Sequence, residues 1–123
     1  MNRSSGTPMD VPYRLLGDRH RRYLLYQLQN TGQGTVESLA SRIATVDPET
    51  ADGDLETARQ QIYVSLVHNH LPRLADHGVL EYDLRSGDVV LSDGFTDLEP
   101  LLEQFKETED VPPSKLTALS LGH

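Results

Sequence analysis

The chain contains no cysteine in its 123 residues, which excludes disulfides, thiolate metal sites and cysteine nucleophiles. It also has no apolar run long enough to span a bilayer. Residues 1–12 lack the hydrophobic stretch of a secretory signal peptide. We therefore expect a cytoplasmic protein without a membrane partner, of a length that suits one domain with a modest core.

Lysine is scarce as well, since only Lys106 and Lys115 occur. Asp and Glu number 19 against 11 Lys and Arg, which gives a net charge of −8. This composition is typical either of an acidic binding module that avoids nucleic acid or of a surface adapted to molar salt. We favour the halophilic interpretation because lysine is depleted while arginine is retained. At 1 M salt the Debye length is about 3 Å, so net charge there says little about which partners can approach.

Signals of catalysis are lacking too. The chain has no glycine-rich phosphate loop and no clustered carboxylate pair on a recognisable scaffold. We therefore expect a protein that is not an enzyme and that needs no cofactor.

Turn residues and apolar spacing divide the chain into helices and one hairpin. Asp18 and Thr35 are predicted N-caps, and Gly78 is predicted to end the longest helix. The predicted domain covers residues 11–106, between a disordered start at 1–10 and a flexible tail at 108–123. The predicted elements are a helical turn at 11–16, helices at 19–30, 36–46 and from Leu55 or Glu56 to Gly78, strands at 79–84 and 89–91, and a helix at about 97–107.

The longest helix is predicted to be two-faced. Its apolar arc consists of Tyr63, Leu66, Val67, His70, Leu71 and Leu74. The opposite side carries Gln61, Val64, Ser65, His68 and Pro72. Because Pro72 lacks an N–H and crowds the carbonyl of His68, we expect a kink or a weak turn there.

Three helices, a hairpin and a further helix are the elements of a winged helix-turn-helix with a C-terminal helix. The fold class expected is mainly α with a β-hairpin wing (α+β). "HLPRLADHGVLEYD" resembles the junction of recognition helix and wing in small prokaryotic regulators, ArsR- or MarR-like ones more distantly. Together with "RHRRYLLYQL", "ESLASRIA" and "GDVVL", it more closely resembles a haloarchaeal winged-helix family of uncharacterised function. Winged helices bind DNA, RNA or proteins.

The leading hypothesis is a DNA-binding transcriptional regulator that contacts double-stranded DNA. Amide and guanidinium groups match purine edges in the major groove, although an ordinary solvated face would look the same. Arg85, at the predicted wing tip, would meet a phosphate or the minor groove, or instead pair with Asp83 or Asp88. The candidate contacts on the longest helix are Gln61, Ser65, His68, Asn69 and Arg73, and the one basic cluster, Arg19, Arg21 and Arg22, would meet phosphates, bridge to an acidic partner or stay solvated.

The histidines are not expected to bind a metal. His68 and His70 point to different faces of a helix, and His70 and His77 could share a face but lack a third ligand. No HExxH pattern occurs. His70 is predicted to be a packed or capping residue, and His77 lies near a helix C-terminus, where a protonated imidazole is favoured.

The last helix has more apolar surface than a small core needs, which predicts a homodimer. The alternative is that this helix folds back on its own domain. The second functional hypothesis is a protein-interaction module without DNA binding, favoured by the weak basic footprint and by Val64 on the outer side. The predicted interface consists of Leu15, Leu16, Tyr23, Leu98, Leu101, Leu102 and Phe105.

Overall fold

The computed structural model describes residues 10–47 and 53–109. The protein is mainly helical with a small three-stranded antiparallel sheet, which confirms an α+β class. The predictions for the first nine residues, for part of the connection between the predicted helices at 36–46 and 55–78, and for most of the tail fall outside the described residues. The elements are α1 (Asp10–Leu16), α2 (Arg19–Thr31), β1 (Gln33–Thr35), α3 (Val36–Val46), α4 (Leu55–Ser65), a π-helical turn (Leu66–His70), α5 (Leu71–Asp76), β2 (Leu80–Asp83), β3 (Asp88–Leu91) and α6 (Phe95–Thr108).

Local sequence signals set the ends of α2 and α3. The Asp18 carboxylate accepts the backbone N–H groups of His20 at 2.8 Å and Arg21 at 3.2 Å. These are donors that the first turn of a helix leaves without partners. Gly32, at φ 82°, follows α2, and the Thr35 hydroxyl accepts from the N–H of Ser38. Both predicted caps are confirmed.

The longest predicted helix is present as one helical rod, which consists of α4, the π-helical turn and α5. The N–H of Leu71 bonds to the carbonyl of Leu66, five residues back. Pro72 follows directly, and it cannot donate to the carbonyl of His68, so a wider turn at this point relieves the crowding that an α-helical turn would suffer. The rod ends at Gly78, whose φ of 72° suits a residue without a side chain.

The sheet contains a strand that the sequence pattern did not predict. Its order is β1–β3–β2, with Leu80 opposite Leu91 in the hairpin and Gln33 opposite Val90 across β1 and β3. The predicted β2–β3 hairpin is present. The sequence pattern did not indicate β1, because its three residues follow one glycine, contain another and are too few to show an alternating pattern.

Helix α6 folds back onto α1 and the core of its own domain, as the second alternative for it required. The predicted dimer face is therefore wrong for six of its residues, because each has at most 5% of its surface exposed. Phe105 is partly buried and lies under the Arg22 guanidinium, 4.7 Å from the ring centroid. Those six residues are Leu15, Leu16, Tyr23, Leu98, Leu101 and Leu102. The homodimer itself stays a prediction.

Candidate recognition surface

One side of the rod formed by α4, the π-helical turn and α5 faces solvent, and we call this side the outer face. Gln61, His68 and Arg73 are exposed, while Ser65 and Asn69 are half-buried. Val64, in their midst, is 54% exposed. The inner side consists of core residues such as Ile62, Leu66, Leu71 and Leu74. The sequence prediction of which residues point outward therefore agrees with the structure for Gln61, His68 and Arg73, whereas the Ser65 hydroxyl lies 3.1 Å from Nε2 of the buried His70.

Asn69 and Arg73 act together on the outer face. The Arg73 Nε donates to Asn69 Oδ1 at 2.7 Å, one helical turn away. This bond occupies the amide oxygen of Asn69 and leaves its NH₂ group and the outer N–H groups of Arg73 as donors. This corner of the outer face consequently offers hydrogen-bond donors to a partner rich in acceptors.

Arg85 lies in the turn of the β2–β3 hairpin, and its side chain is 94% exposed. Its backbone N–H bonds to Asp83 Oδ1 at 2.9 Å, whereas its Nε is 3.7 Å from the same oxygen. Asp83 thus shapes the turn, and the ion pair is a loose one that contributes little at such exposure. The guanidinium remains accessible to an external anion.

The basic cluster at the start of α2 turns inward, contrary to the prediction that it contacts DNA. Arg21 is buried and donates from Nε to the carbonyl of Leu15 at 2.6 Å and from Nη2 to that of Arg14 at 3.2 Å. Arg22 donates to the carbonyl of Leu16 at 2.7 Å. These carbonyls end α1, where acceptors lack intrahelical donors and a cation is favoured.

The remaining bonds of the cluster go to carboxylates of the same chain. Arg22 forms an ion pair with Glu109, which also accepts from the Tyr26 hydroxyl at 3.0 Å. Arg19 lies 3.2 Å from buried Asp47 and is itself one-third exposed. The alternative that these arginines bridge to an acidic partner is therefore met by carboxylates of the same chain. Glu109, which was predicted to lie in the flexible tail, belongs to the folded domain.

Arg42 is a candidate contact that the sequence analysis missed. Within residues 10–47 and 53–109, no ion pair with a carboxylate is found for Arg14, Arg21, Arg42 and Arg73, and of these Arg21 is buried. Arg42 lines a polar groove of about 540 Å³ beside the start of α3, with the hydroxyls of Thr35 and Ser38. The signal in the sequence was its position as the single cation of "VESLASRIATV".

His70 is the buried polar residue of the π-helical turn, and it joins the rod to α2. Its Nδ1 is 3.1 Å from Arg21 Nη1, and its Nε2 is 3.1 Å from the Ser65 hydroxyl and 3.8 Å from Asp18 Oδ1. Burial lowers the pKa of His70, against the attraction of Asp18. Burial alone would raise the pKa of Asp18, but the charge of His70 and the N–H groups of α2 bring it below its usual value. The predicted packed role of His70 is confirmed.

Asp18, His20 and His70 are the described residues whose ligand atoms could surround a metal ion, since these atoms lie within 4.8 Å of one another. The hydrogen bonds argue against that use. A guanidinium can only donate, so Arg21 requires a lone pair on His70 Nδ1 and leaves the proton on Nε2. With Arg21 in place, Nε2 therefore has no lone pair for a metal. His20 Nε2 contacts Asp47 Oδ2 at 2.5 Å.

The described chain is thus an α+β domain with an exposed polar helix face and a hairpin that carries an accessible arginine. The protein belongs to the family described as a domain of unknown function (DUF7344), whose model matches residues 13–90. That match runs from within α1 into β3 and leaves α6 outside. No curated protein and no solved structure matches the chain. No helix among the described residues combines the length and the apolarity that crossing a membrane requires.

Proposed function

We propose that the protein is a winged helix-turn-helix transcriptional regulator that binds double-stranded DNA and has no enzymatic activity. In this assignment α3 and the rod form the helix-turn-helix, and the β2–β3 hairpin is the wing. The order helix, strand, two helices and hairpin supports it, as does the pairing of β1 with β3. The resemblance to a haloarchaeal winged-helix family agrees with the same assignment.

The observation that carries the proposal is the outer face, which is exposed and mostly polar. Placed in a major groove, Gln61 would match an adenine edge and the Arg73 fork a guanine edge. The methyl groups of Val64 would meet a thymine methyl. His68 and Ser65 would serve bases or phosphates at the margin.

Contacts to the DNA backbone would come from outside the outer face. Arg42, which lines the groove beside the start of α3, is partly exposed, and Arg85, in the hairpin turn, is fully accessible; both would meet phosphates. Such contacts fix the register of a protein on the duplex without specifying sequence. Arg21 and Arg22 have no part in this binding mode because their guanidinium groups are occupied inside the domain.

The salt-adapted surface shapes the proposal further. Because the protein has a net charge of −8, its overall charge does not attract it to the negatively charged DNA in dilute salt. In molar salt, counterion release contributes little, so affinity would rest on base-edge contacts, DNA shape and carboxylate–cation–phosphate contacts. We therefore expect affinity to fall with added salt less steeply than the slope of about −0.9 per phosphate contact would give for an ordinary basic protein.

A second candidate function is a docking module for another protein. The observation that favours it is a set of exposed apolar side chains: Val64 at 54%, Leu84 at 50% and Val90 at 44%. These side chains, on the outer face and on the hairpin, would be available for apolar contacts with a partner protein. The strongly acidic surface agrees with a partner other than nucleic acid.

Selection of bound sequences from random DNA at molar KCl tests the leading proposal. We expect a defined motif, with affinity reduced by about 1–3 kcal/mol in Gln61→Ala and in Arg73→Ala. Arg14→Ala is the matched control, because Arg14 is an exposed arginine off the outer face that also forms no ion pair with a described carboxylate. Enrichment of no motif, or equal losses in Arg73→Ala and Arg14→Ala, would favour the docking module.

A further inference from the structure

We propose that His70 is a proton-sensitive positioning residue that holds the outer face in its binding geometry only while its ring is neutral. The inference rests on the proposed function for its effect on DNA binding. Its structural part concerns the protein alone and can be tested without DNA. His70 touches no partner itself, since 2% of its surface is exposed.

The first step is the state of the ring in the structure. Arg21 Nη1 lies 3.1 Å from His70 Nδ1, and Arg21 offers only donors, so Nδ1 accepts. The ring proton is then on Nε2, which faces the Ser65 hydroxyl at 3.1 Å. Neutral His70 therefore satisfies one group on α2 and one on the rod at the same time.

The second step is what a second proton does to this arrangement. In an imidazolium both ring nitrogens are donors, so an Nδ1–H would point at an Arg21 N–H across the same short distance. Two donors and two positive charges would then face each other inside the domain. Arg21 cannot yield easily, because the carbonyls of Leu15 and Arg14 hold its other nitrogens.

The third step is which part of the molecule gives way. His70 is the last residue of the π-helical turn, and the Leu66-to-Leu71 bond closes that turn less tightly than an α-helical bond would. Asp18, 3.8 Å from Nε2, attracts a protonated ring away from Arg21. Movement of the ring toward Asp18 releases the Ser65 hydroxyl and changes the turn that carries His68 and Asn69.

Several charged groups face His70, and they decide the direction of the effect. From α2 these are Asp18, Arg21 and His20, and from α5 the charge of Arg73 acts on it. Asp18 favours the protonated ring, while the two arginines and His20 oppose it, as does burial. The neutral ring is therefore the state at neutral pH, and the disturbed state belongs to acid.

Nuclear magnetic resonance of the ¹⁵N-labelled protein in molar KCl tests the structural part. We expect the His70 ring at neutral pH to carry its proton on Nε2, and the backbone amides of Ser65, His68 and Asn69 to shift with the His70 titration. A ring protonated on Nδ1 would overturn the proposal. So would amides that follow the titration of His20 or His68 instead of that of His70.

The functional part is tested with His70→Gln, whose carboxamide can accept from Arg21 and donate to Ser65 at every pH. For the wild type we expect about a tenfold weaker binding of the selected DNA one pH unit below the His70 midpoint found by the ring titration than at pH 7.5, the effect of one lost hydrogen bond. In His70→Gln we expect that pH dependence to disappear.

His77→Gln is the control, because it removes an exposed histidine from the end of the same rod. It should keep the full pH dependence, and a pH dependence that survives in His70→Gln contradicts the inference. If His70→Gln fails to fold, the ring titration of the wild type still decides. If no DNA is selected at all, the proposed function fails, while the tautomer and the amide shifts are judged separately.

Discussion

Gly94 donates its backbone N–H to the carbonyl oxygen of Gly78 at 2.9 Å, which closes the hairpin where it leaves and re-enters the helical layer. The approach leaves no room for a side chain. A Cβ on Gly94 would lie 2.5 Å from that oxygen and 2.9 Å from the carbonyl oxygen of His77. Because both obstacles are backbone atoms at the end of α5, neither can turn aside.

We therefore expect Gly94→Ala to lower the free energy of unfolding by about 1–3 kcal/mol, the usual cost of overpacking. Gly53→Ala is the matched control, because a Cβ there meets nothing within 4 Å. Chemical denaturation of the two variants in the same molar-salt buffer measures the difference. Equal stabilities would mean that the two backbone segments are not in contact.

The buried guanidinium of Arg21 should matter far more for stability than the exposed one of Arg85. Arg21→Ala would leave two α1 carbonyls and His70 Nδ1 without their donor, so we expect a loss of about 2–4 kcal/mol. Arg85→Ala should stay within about 0.5 kcal/mol of the wild type. Thermal unfolding compares them, and a mild Arg21→Ala phenotype would contradict the assigned structural role.

Glu109 should stabilise the contact between the end of α6 and α2. It forms an ion pair with Arg22 and accepts from the Tyr26 hydroxyl, so we expect Glu109→Ala to cost about 1–3 kcal/mol. Burial, and then the bond to Glu109, raises the pKa of Tyr26, so the variant should bring that pKa down. Denaturation and ultraviolet titration of tyrosine measure the two effects. Glu107→Ala, which removes an exposed carboxylate of the same helix, should change neither.

Acid should destabilise the protein in two separate windows. The folded-state pKa of His70 lies below 6.5, so the unfolded chain binds more protons there, and stability falls as pH drops below that value. One such group gives a slope of at most about 1.4 kcal/mol per pH unit. The folded-state pKa of Asp18 lies below 3.8, so its contribution is complete above that value and is lost on further acidification. His70→Gln should flatten the upper window in a series of denaturation curves. It should also shrink the lower window, because the charge of His70 is the largest of the influences that lower the Asp18 pKa.

The proposed phosphate contact of Arg42 predicts a particular kind of binding defect. We expect Arg42→Ala to weaken DNA binding about equally across sequences and to reduce the salt slope by about 1. Arg73→Ala should instead relax the sequence preference, because a base-edge contact is lost. Titrations of matched and mismatched duplexes at several KCl concentrations distinguish the two patterns. A sequence-dependent loss in Arg42→Ala would contradict the contact.

The parts of the fold that could be predicted from sequence depend on neighbours in the chain. Asp18 and Thr35 bond to N–H groups two or three residues on, and Gly78 ends the rod through its own backbone conformation. The exposed and buried sides of the rod also follow from spacing alone. These features needed no knowledge of what the helices pack against.

The parts that were missed depend on residues far apart. Arg21 and His70 are separated by 49 positions, and Arg22 and Glu109 by 87. No local pattern shows that these arginines face carbonyls of α1 or a carboxylate of α6 rather than solvent. For the same reason an apolar α6 looked like a dimer face, whereas it covers its own core.

The β2–β3 hairpin is attached to α3 as well as to the rod. Thr35 is at once the last residue of β1 and the N-cap of α3, and the N–H of Val36 bonds to the carbonyl of Gly87 at 2.9 Å. Displacement of the hairpin turn would therefore also displace β3, β1 and the start of α3, which are joined to it by hydrogen bonds. A partner that binds the turn at residues 84–86 would therefore also change the position of Thr35, and with it the N-terminal end of α3.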